Sequence, residues 1–497
     1  YSEDKSEWKQ VYESPVVLPS DNAHYVELDV KGYHYIKLTA LDNGANGNDH
    51  SVYGDLRLLA PDYDISTEGY ARLDTVAEYD AILSQNSVEV NLANHRDTIL
   101  CREFVNRMGY NTIQAAVKSQ SNVAVALDWL LDDTDALQLF LEAGSLFNGS
   151  SGKTLMALGN LYQAAQDDVG DSDDAYTYKK MMLATAVAYC RDIKTYMVNY
   201  GGNAVSSDPV EKYTTMKYLY DKGYFARKEE FKTYPMELVR YVMDAKMDDS
   251  EILWLRKYSE SKYEDLEQRL NGYSFVNYVN TWYDDAEFYD PAYKSQWDDK
   301  YGFLKYGVSY GVENLFRLWM MMEKGGICWG ISGMGMNTAE VHGIPAVNTY
   351  QPGHEAYLIY SQNNNGDGTW TIWNNVGGWG QSYSRWGDTI ATEARLLLGW
   401  GCMEYITNYN KNNTTYILLA QAALNDYDQY LESMYANFLA QAYPEGTADH
   451  EEALEACLDA LSFNLDGMYG LIKSYADDTS TTNEEWEVLA RRVVDEY

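Results

Sequence analysis

Proline is scarce in this chain, 9 in 497 residues, and cysteine is scarcer at 5. An odd number of thiols spread this thinly does not make the disulfide framework of a small secreted module, so each cysteine is read as a thiol. Cations are short too: 38 lysines and arginines face 75 aspartates and glutamates, a formal charge of −37. A nucleic-acid or anionic-membrane binder needs a basic face, and this composition excludes one as a general property. Long apolar runs are missing. The densest stretch, Leu315-Phe316-Arg317-Leu318-Trp319-Met320-Met321-Met322, carries a charge and falls far below the roughly 20 residues that cross a bilayer. No membrane span and a soluble chain are expected.

What is abundant is tyrosine, 46 residues against 11 phenylalanines. An acidic, tyrosine-rich surface suits an extracellular protein that meets polar polymers. The chain opens at Tyr1 with no initiator methionine, basic leader or apolar signal region, which reads as a processed or trimmed chain. Its length allows about two to four domains with cores of their own.

The first 64 residues read as strands. Tyr25-Val26-Glu27-Leu28-Asp29-Val30 and Tyr35-Ile36-Lys37-Leu38-Thr39-Ala40 alternate, and Ser51 to Leu58 does so again across an Asn/Gly-rich loop. Residues 65–262 switch to apolar residues at helical spacing, as in the stripe Leu183, Ala186, Val187, Cys190, Ile193 and Met197, and read as a helical scaffold. Residues 263–413 mix signals: a glycine-rich stretch, then strands over Glu355–Tyr360 and Thr369–Asn374, with hairpin-turn chemistry in Asn363-Asn364-Asn365-Gly366-Asp367-Gly368 between them. Residues 414–497 are helical again, with Leu454, Cys457, Leu458 and Leu461 on one face. The fold class is therefore α+β and multidomain.

The cysteines divide by context. Cys101, Cys190 and Cys457 lie on apolar helical stripes and Cys402 in apolar company, as inert core thiols do. Cys328 instead follows Gly325-Gly326-Ile327, where small residues allow close approach and a helix can start at the thiol; a helix N-terminus favours the anion, which is the nucleophilic form. Such a nucleophile needs a base within hydrogen-bond reach and a third group that holds the base. His354 begins a strand after Pro352-Gly353, a placement that presents a ring at a cleft edge. His342, before Gly343, reads as a helix-end cap or surface residue. Asn374 lies on the strand that neighbours His354, about 5 Å away, so its side chain is expected to accept from the His354 ring.

The ordered motifs Gly326-Ile327-Cys328-Trp329, Gly343-Ile344-Pro345-Ala346, Pro352-Gly353-His354-Glu355-Ala356 and Trp370-Thr371-Ile372-Trp373-Asn374 resemble the transglutaminase-like superfamily of papain-type cysteine enzymes, over roughly residues 301 to 385. The resemblance implies a papain-like α+β core with Cys328 as nucleophile, His354 as general base and acid, and Asn374 as the residue that orients it. Departures are Val347 where arginine is common, Ala356 where an aromatic is common, Asn374 for the commoner aspartate, and Met322 where papain-type enzymes carry an oxyanion glutamine. The Cys328 backbone N–H with an indole, Trp319 or Trp329, is the candidate replacement. Separately, Asn43 to Tyr53 preceded by Tyr35-Ile36-Lys37-Leu38 resembles the closing strands of the jelly-roll known as the novel putative carbohydrate-binding module, so residues 1–64 would be its C-terminal half.

Together these readings imply a secreted or cell-surface bacterial cysteine hydrolase cleaving amide bonds of proteins or peptides, with a glycan as a second partner through the full-length N-terminal module. A cross-linking or deamidating transglutaminase is the first alternative, a non-catalytic glycan-adhesive surface protein the second. No cofactor is expected. Asp42, Asn48 and Asp49 carry oxygens that suit structural calcium, but an Asn/Gly-rich turn is the preferred reading, and no Cys/His spacing suggests zinc.

Overall fold

The computed structural model describes Lys9 and residues 70–144, 146, 149–170, 173–190, 208–245, 247, 249–278, 322, 325–351, 354–362, 368–374 and 426–496. The chain divides into two compact units between Thr67 and Glu68. The expected N-terminal strands, Asp42, Asn48 and Asp49, Trp319, Cys402 and residues 363–367 of the hairpin turn all lie outside the described residues.

The second unit begins as helices: α1 (Val76–Leu83), α2 (Val88–Asn94), α3 (Arg96–Met108), α4 (Tyr110–Ser119), α5 (Ser121–Asp132), α6 (Thr134–Glu142), α7 (Ser151–Val169), α8 (Ala175–Ala188), α9 (Pro209–Asp221), α10 (Lys228–Thr233), α11 (Met236–Met243), α12 (Asp249–Lys262) and α13 (Leu266–Leu270). After them come α14 (Cys328–Val341), the strands β1 (Ala346–Gln351), β2 (His354–Gln362) and β3 (Gly368–Trp373), and then α15 (Tyr427–Ala440), α16 (Ala448–Ala460), α17 (Leu465–Asp477) and α18 (Asn483–Glu496). The class is α+β, predominantly helical, with one small antiparallel sheet in the order β1-β2-β3. Among the described residues no helix is long and apolar enough to cross a membrane.

Local chemistry sets many of the helix ends. Thr75 and Glu78 form a reciprocal capping box at α1, and Asp208 caps α9 with Pro209 at its first position. Buried cations satisfy carbonyls at helix C-termini, which would otherwise be orphaned in the core. Lys180 Nζ donates to Lys232 O and Tyr234 O, both at 2.8 Å, Lys212 Nζ to Ala245 O and Met247 O at 2.6 and 2.9 Å, and Arg240 Nη1 to Ala143 O at 2.7 Å. Burial pulls the Lys180 ammonium down to about 8. Of the apolar stripe, Leu183, Ala186 and Val187 lie in α8, which closes at Ala188, and Cys190 is buried just beyond it, while Ile193 and Met197 lie outside the described residues.

The sheet is covered on both faces, and β2 shows how. Its central residues, Ala356 to Tyr360, are all buried. Leu358 and Tyr360 join Trp370 in the large core shared with the helical region, where Tyr360 meets Tyr234 and Trp370 meets Tyr241 edge to face at 5.8 and 5.7 Å. Tyr357 and Ile359 face a smaller cluster with Met336 and Ala339 of α14 and Leu270 of α13. The same large core reaches Tyr430 to Leu439 of α15, and Arg102 of α3 donates to Gln441 O at 2.5 Å just past that helix. The helical region, the sheet and the C-terminal helices thus share one interior.

The helix α14 is buried on every side from Gly330 to Val341. Its glycines make this contact with the sheet close: a Cβ at Gly335 would overlap the phenol ring of Tyr357. That ring is pinned, since its hydroxyl donates to Leu270 O at 2.9 Å and accepts from the Gly272 N–H at 3.3 Å. Gly335→Ala is therefore expected to cost about 1–3 kcal/mol through overpacking. It would appear as a lower urea midpoint at unchanged slope, and an unchanged midpoint would show that the contact relaxes.

Candidate active site

The turn before α14 is built for close approach. Gly325 takes a φ of +87°, a left-handed conformation that suits glycine, and the Gly326 N–H donates to Asn277 O at 2.9 Å beside a parallel bridge between Tyr278 and Gly326. Ile327 is the N-cap and makes no side-chain cap bond, so α14 begins at Cys328 as the sequence predicts. Cys328 therefore stands at the positive end of the helix dipole, which favours a thiolate. Cys328 is half-buried. Cys190 and Cys457 are fully buried, and burial pushes the thiols of Cys457 and Cys101 up to about 12 and about 11.

His354 is the first residue of β2, and Asn374 follows the last residue of β3. The β2–β3 register pairs Tyr357 with Trp373, so the start of one strand lies beside the end of the next. His354 Nε2 donates to the main-chain carbonyl of Asn374 at 2.5 Å. A carbonyl can only accept, so Nε2 carries the hydrogen and a neutral ring keeps its lone pair on Nδ1. The sequence expectation is corrected here: the orienting acceptor is the Asn374 backbone, not its side chain. The cause is local conformation. Asn374 has φ +57°, the only positive value at a described residue other than glycine, and asparagine tolerates this region better than most residues.

The carboxamide of Asn374 instead turns into the molecule. Its Nδ2 lies 3.0 Å from Cys328 O, 2.7 Å from Ser332 Oγ and 3.1 Å from Glu355 O, and Ser332 Oγ donates to Glu355 O at 2.8 Å. Cys328, His354 and Asn374, far apart in sequence, are thereby brought together by hydrogen bonds at the start of α14 and the open ends of β2 and β3. Sequence reading missed Ser332, whose only signal was its place one helical turn after the cysteine, and β1, which pairs with β2 from His354 to Ile359. Trp329 is half-buried in the first turn of α14. Tyr273 and Tyr278, both about half exposed, belong to the segment that runs alongside Gly326; burial and the nearby Tyr278 and Cys328 raise the Tyr273 phenol.

His342 departs from the surface role expected for it. It caps α14 but is wholly buried, with its Nδ1 donating to Thr338 O at 2.7 Å and its main-chain carbonyl accepting from the Ala226 N–H at 2.8 Å. Burial and the guanidinium groups of Arg256 and Arg269 pull it down to about 3. No group of three or more acidic, histidine or cysteine side chains is arranged to hold a metal among the described residues. Compared with protein-family models, with curated proteins and with solved structures, the chain gives no match.

Proposed function

We propose that this chain is a cysteine hydrolase of the transglutaminase-like, papain-type class, acting on amide bonds of proteins or peptides outside the cell, with residues 1–64 as half of a carbohydrate-binding jelly-roll. The observation that supports the catalytic reading is that Asn374 bonds both the half-buried Cys328 at a helix start and His354, whose Nε2–H its carbonyl holds. In this reading His354 Nδ1 takes the thiol proton as Cys328 Sγ attacks the substrate carbonyl carbon. The Cys328 backbone N–H, at the first position of α14, faces the developing oxyanion. The proton passes from His354 Nδ1 to the leaving nitrogen as the C–N bond breaks; His354 Nδ1 then takes a proton from water as its oxygen attacks the thioester, and returns it to Cys328 Sγ as the C–S bond breaks.

The test is the iodoacetamide alkylation rate of each cysteine, located by peptide mass mapping, in the wild type and in His354→Ala. Cys328 is expected to react at least about tenfold faster at pH 7 than Cys101, Cys190 or Cys457, and to lose that advantage without His354. If Cys328 is as slow as Cys457 in the folded protein, the catalytic reading fails.

A further inference from the structure

In a papain-type triad read from sequence, the third residue acts through its side chain on the histidine. The bonds around Asn374 divide the work differently. Its main-chain carbonyl holds the His354 ring, while Nδ2 is surrounded by three acceptors: Cys328 O, Ser332 Oγ and Glu355 O. Three acceptors around one atom assign that atom as the amide nitrogen. Ser332 gives its hydroxyl hydrogen to Glu355 O and is left to accept from Asn374, so the donation runs one way, from Asn374 through Ser332 to the peptide next to the base. Ser332 is fully buried, and Asn374 Oδ1 is buried with no hydrogen-bond partner. An unpaired amide oxygen is costly, and this rotamer leaves Oδ1 unpaired while Nδ2 makes its bonds.

We infer that Ser332 and the Asn374 carboxamide are positioning residues that fix the backbone of the nucleophile Cys328 against that of Glu355, the neighbour of the base. The inference rests on the catalytic reading above and extends it to a residue, Ser332, that touches neither substrate nor proton. It also reverses the usual expectation for position 374. An aspartate there, which would serve well as a side-chain orienter of the imidazolium, would set a carboxylate oxygen against three acceptors with nothing to donate.

The test compares Cys328 alkylation by iodoacetamide from pH 5 to 9 in the full chain and in Asn374→Gly, Asn374→Asp and Ser332→Ala. Glycine keeps the left-handed backbone, and with it the carbonyl that holds His354, but deletes the carboxamide. Asn374→Gly and Ser332→Ala are expected to slow alkylation at pH 7 by about ten- to a hundredfold and to move the midpoint of the pH profile, the scale of loss seen when reacting groups are misplaced by about an ångström. Asn374→Asp should be slowed at least as much. The double variant of Ser332→Ala with Asn374→Gly should be little slower than the worse single one, because both cut the same link. Cys190 and Cys457 serve as internal controls, staying slow while the fold is intact. An Asn374→Asp protein as fast as the wild type beside a slow Asn374→Gly would overturn the inference in favour of a side-chain orienter. Asn374→Gly at the wild-type rate would overturn it outright. Wild-type Cys328 no faster than the buried thiols would fail the catalytic reading itself, a different and separately visible result.

Discussion

Cys328→Ala is expected to lower amide hydrolysis by at least on the order of 10³-fold, and His354→Ala by a similar factor, because each removes a member of a unit whose parts act together. The loss corresponds to about 4 kcal/mol of transition-state stabilisation. Both variants should stay folded. Cys328 is half-buried, and the atom through which it is braced is its carbonyl oxygen, which alanine retains. His354 is only partly buried at a strand end, and its ring makes one hydrogen bond to a main-chain carbonyl. The assay is release of free amines from unfolded casein, followed beside the thermal melting of each protein. A Cys328→Ala protein that keeps a tenth or more of the wild-type rate would sink the catalytic assignment. Non-additivity is the second signature: the double variant should be no slower than the single ones, since the residual rate then comes from binding and the backbone N–H alone.

The start of α14 at Cys328, the start of β2 near His354 and the β2–β3 hairpin follow from glycine, proline and alternation signals, which act over a few residues. Which atom of Asn374 meets the histidine does not, because it goes with a φ of +57° just past β3 and with hydrogen bonds to α14 and β2, which are distant in sequence. Ser332 read as one more small residue in a Gly/Ser-rich helix. Its role appears only when Glu355 of β2 comes within hydrogen-bond distance. β1 was overlooked because its six residues form a strand through pairing with β2, and short strands depend on such partners more than on propensity. His342 looked like a surface cap because the groups around it, Ala226, Arg256 and Arg269, come from other parts of the chain.

That buried histidine makes stability depend on acid. His342 is held near 3 in the folded protein against an ordinary value of 6.5, so between those limits the unfolded chain binds a proton that the folded protein refuses. Its contribution is fully present above pH 6.5 and is lost as pH falls toward 3. The slope from one such group approaches about 1.4 kcal/mol per pH unit, several kcal/mol across the window. Two features make the charged form costly. Arg256 and Arg269 already place positive charge nearby, each fixed by its own bonds, Arg256 Nε to Tyr224 O at 2.7 Å and Arg269 Nε to Tyr263 O at 2.6 Å. The second ring nitrogen, Nε2, is buried with no hydrogen-bond partner, so a proton placed there would have no acceptor. Urea unfolding at pH 7, 5.5 and 4 of the wild type and of His342→Gln separates this group from every other, since only the difference in slope matters. The glutamine variant is expected to be less stable at pH 7 by about 1–3 kcal/mol through imperfect packing in a fully buried site and the loss of the Thr338 bond. It should lose stability less steeply with acid, by about one proton's worth, so that the two proteins converge near pH 4. Parallel curves from pH 7 to pH 4 would show that His342 titrates normally and that its burial is relieved by local opening.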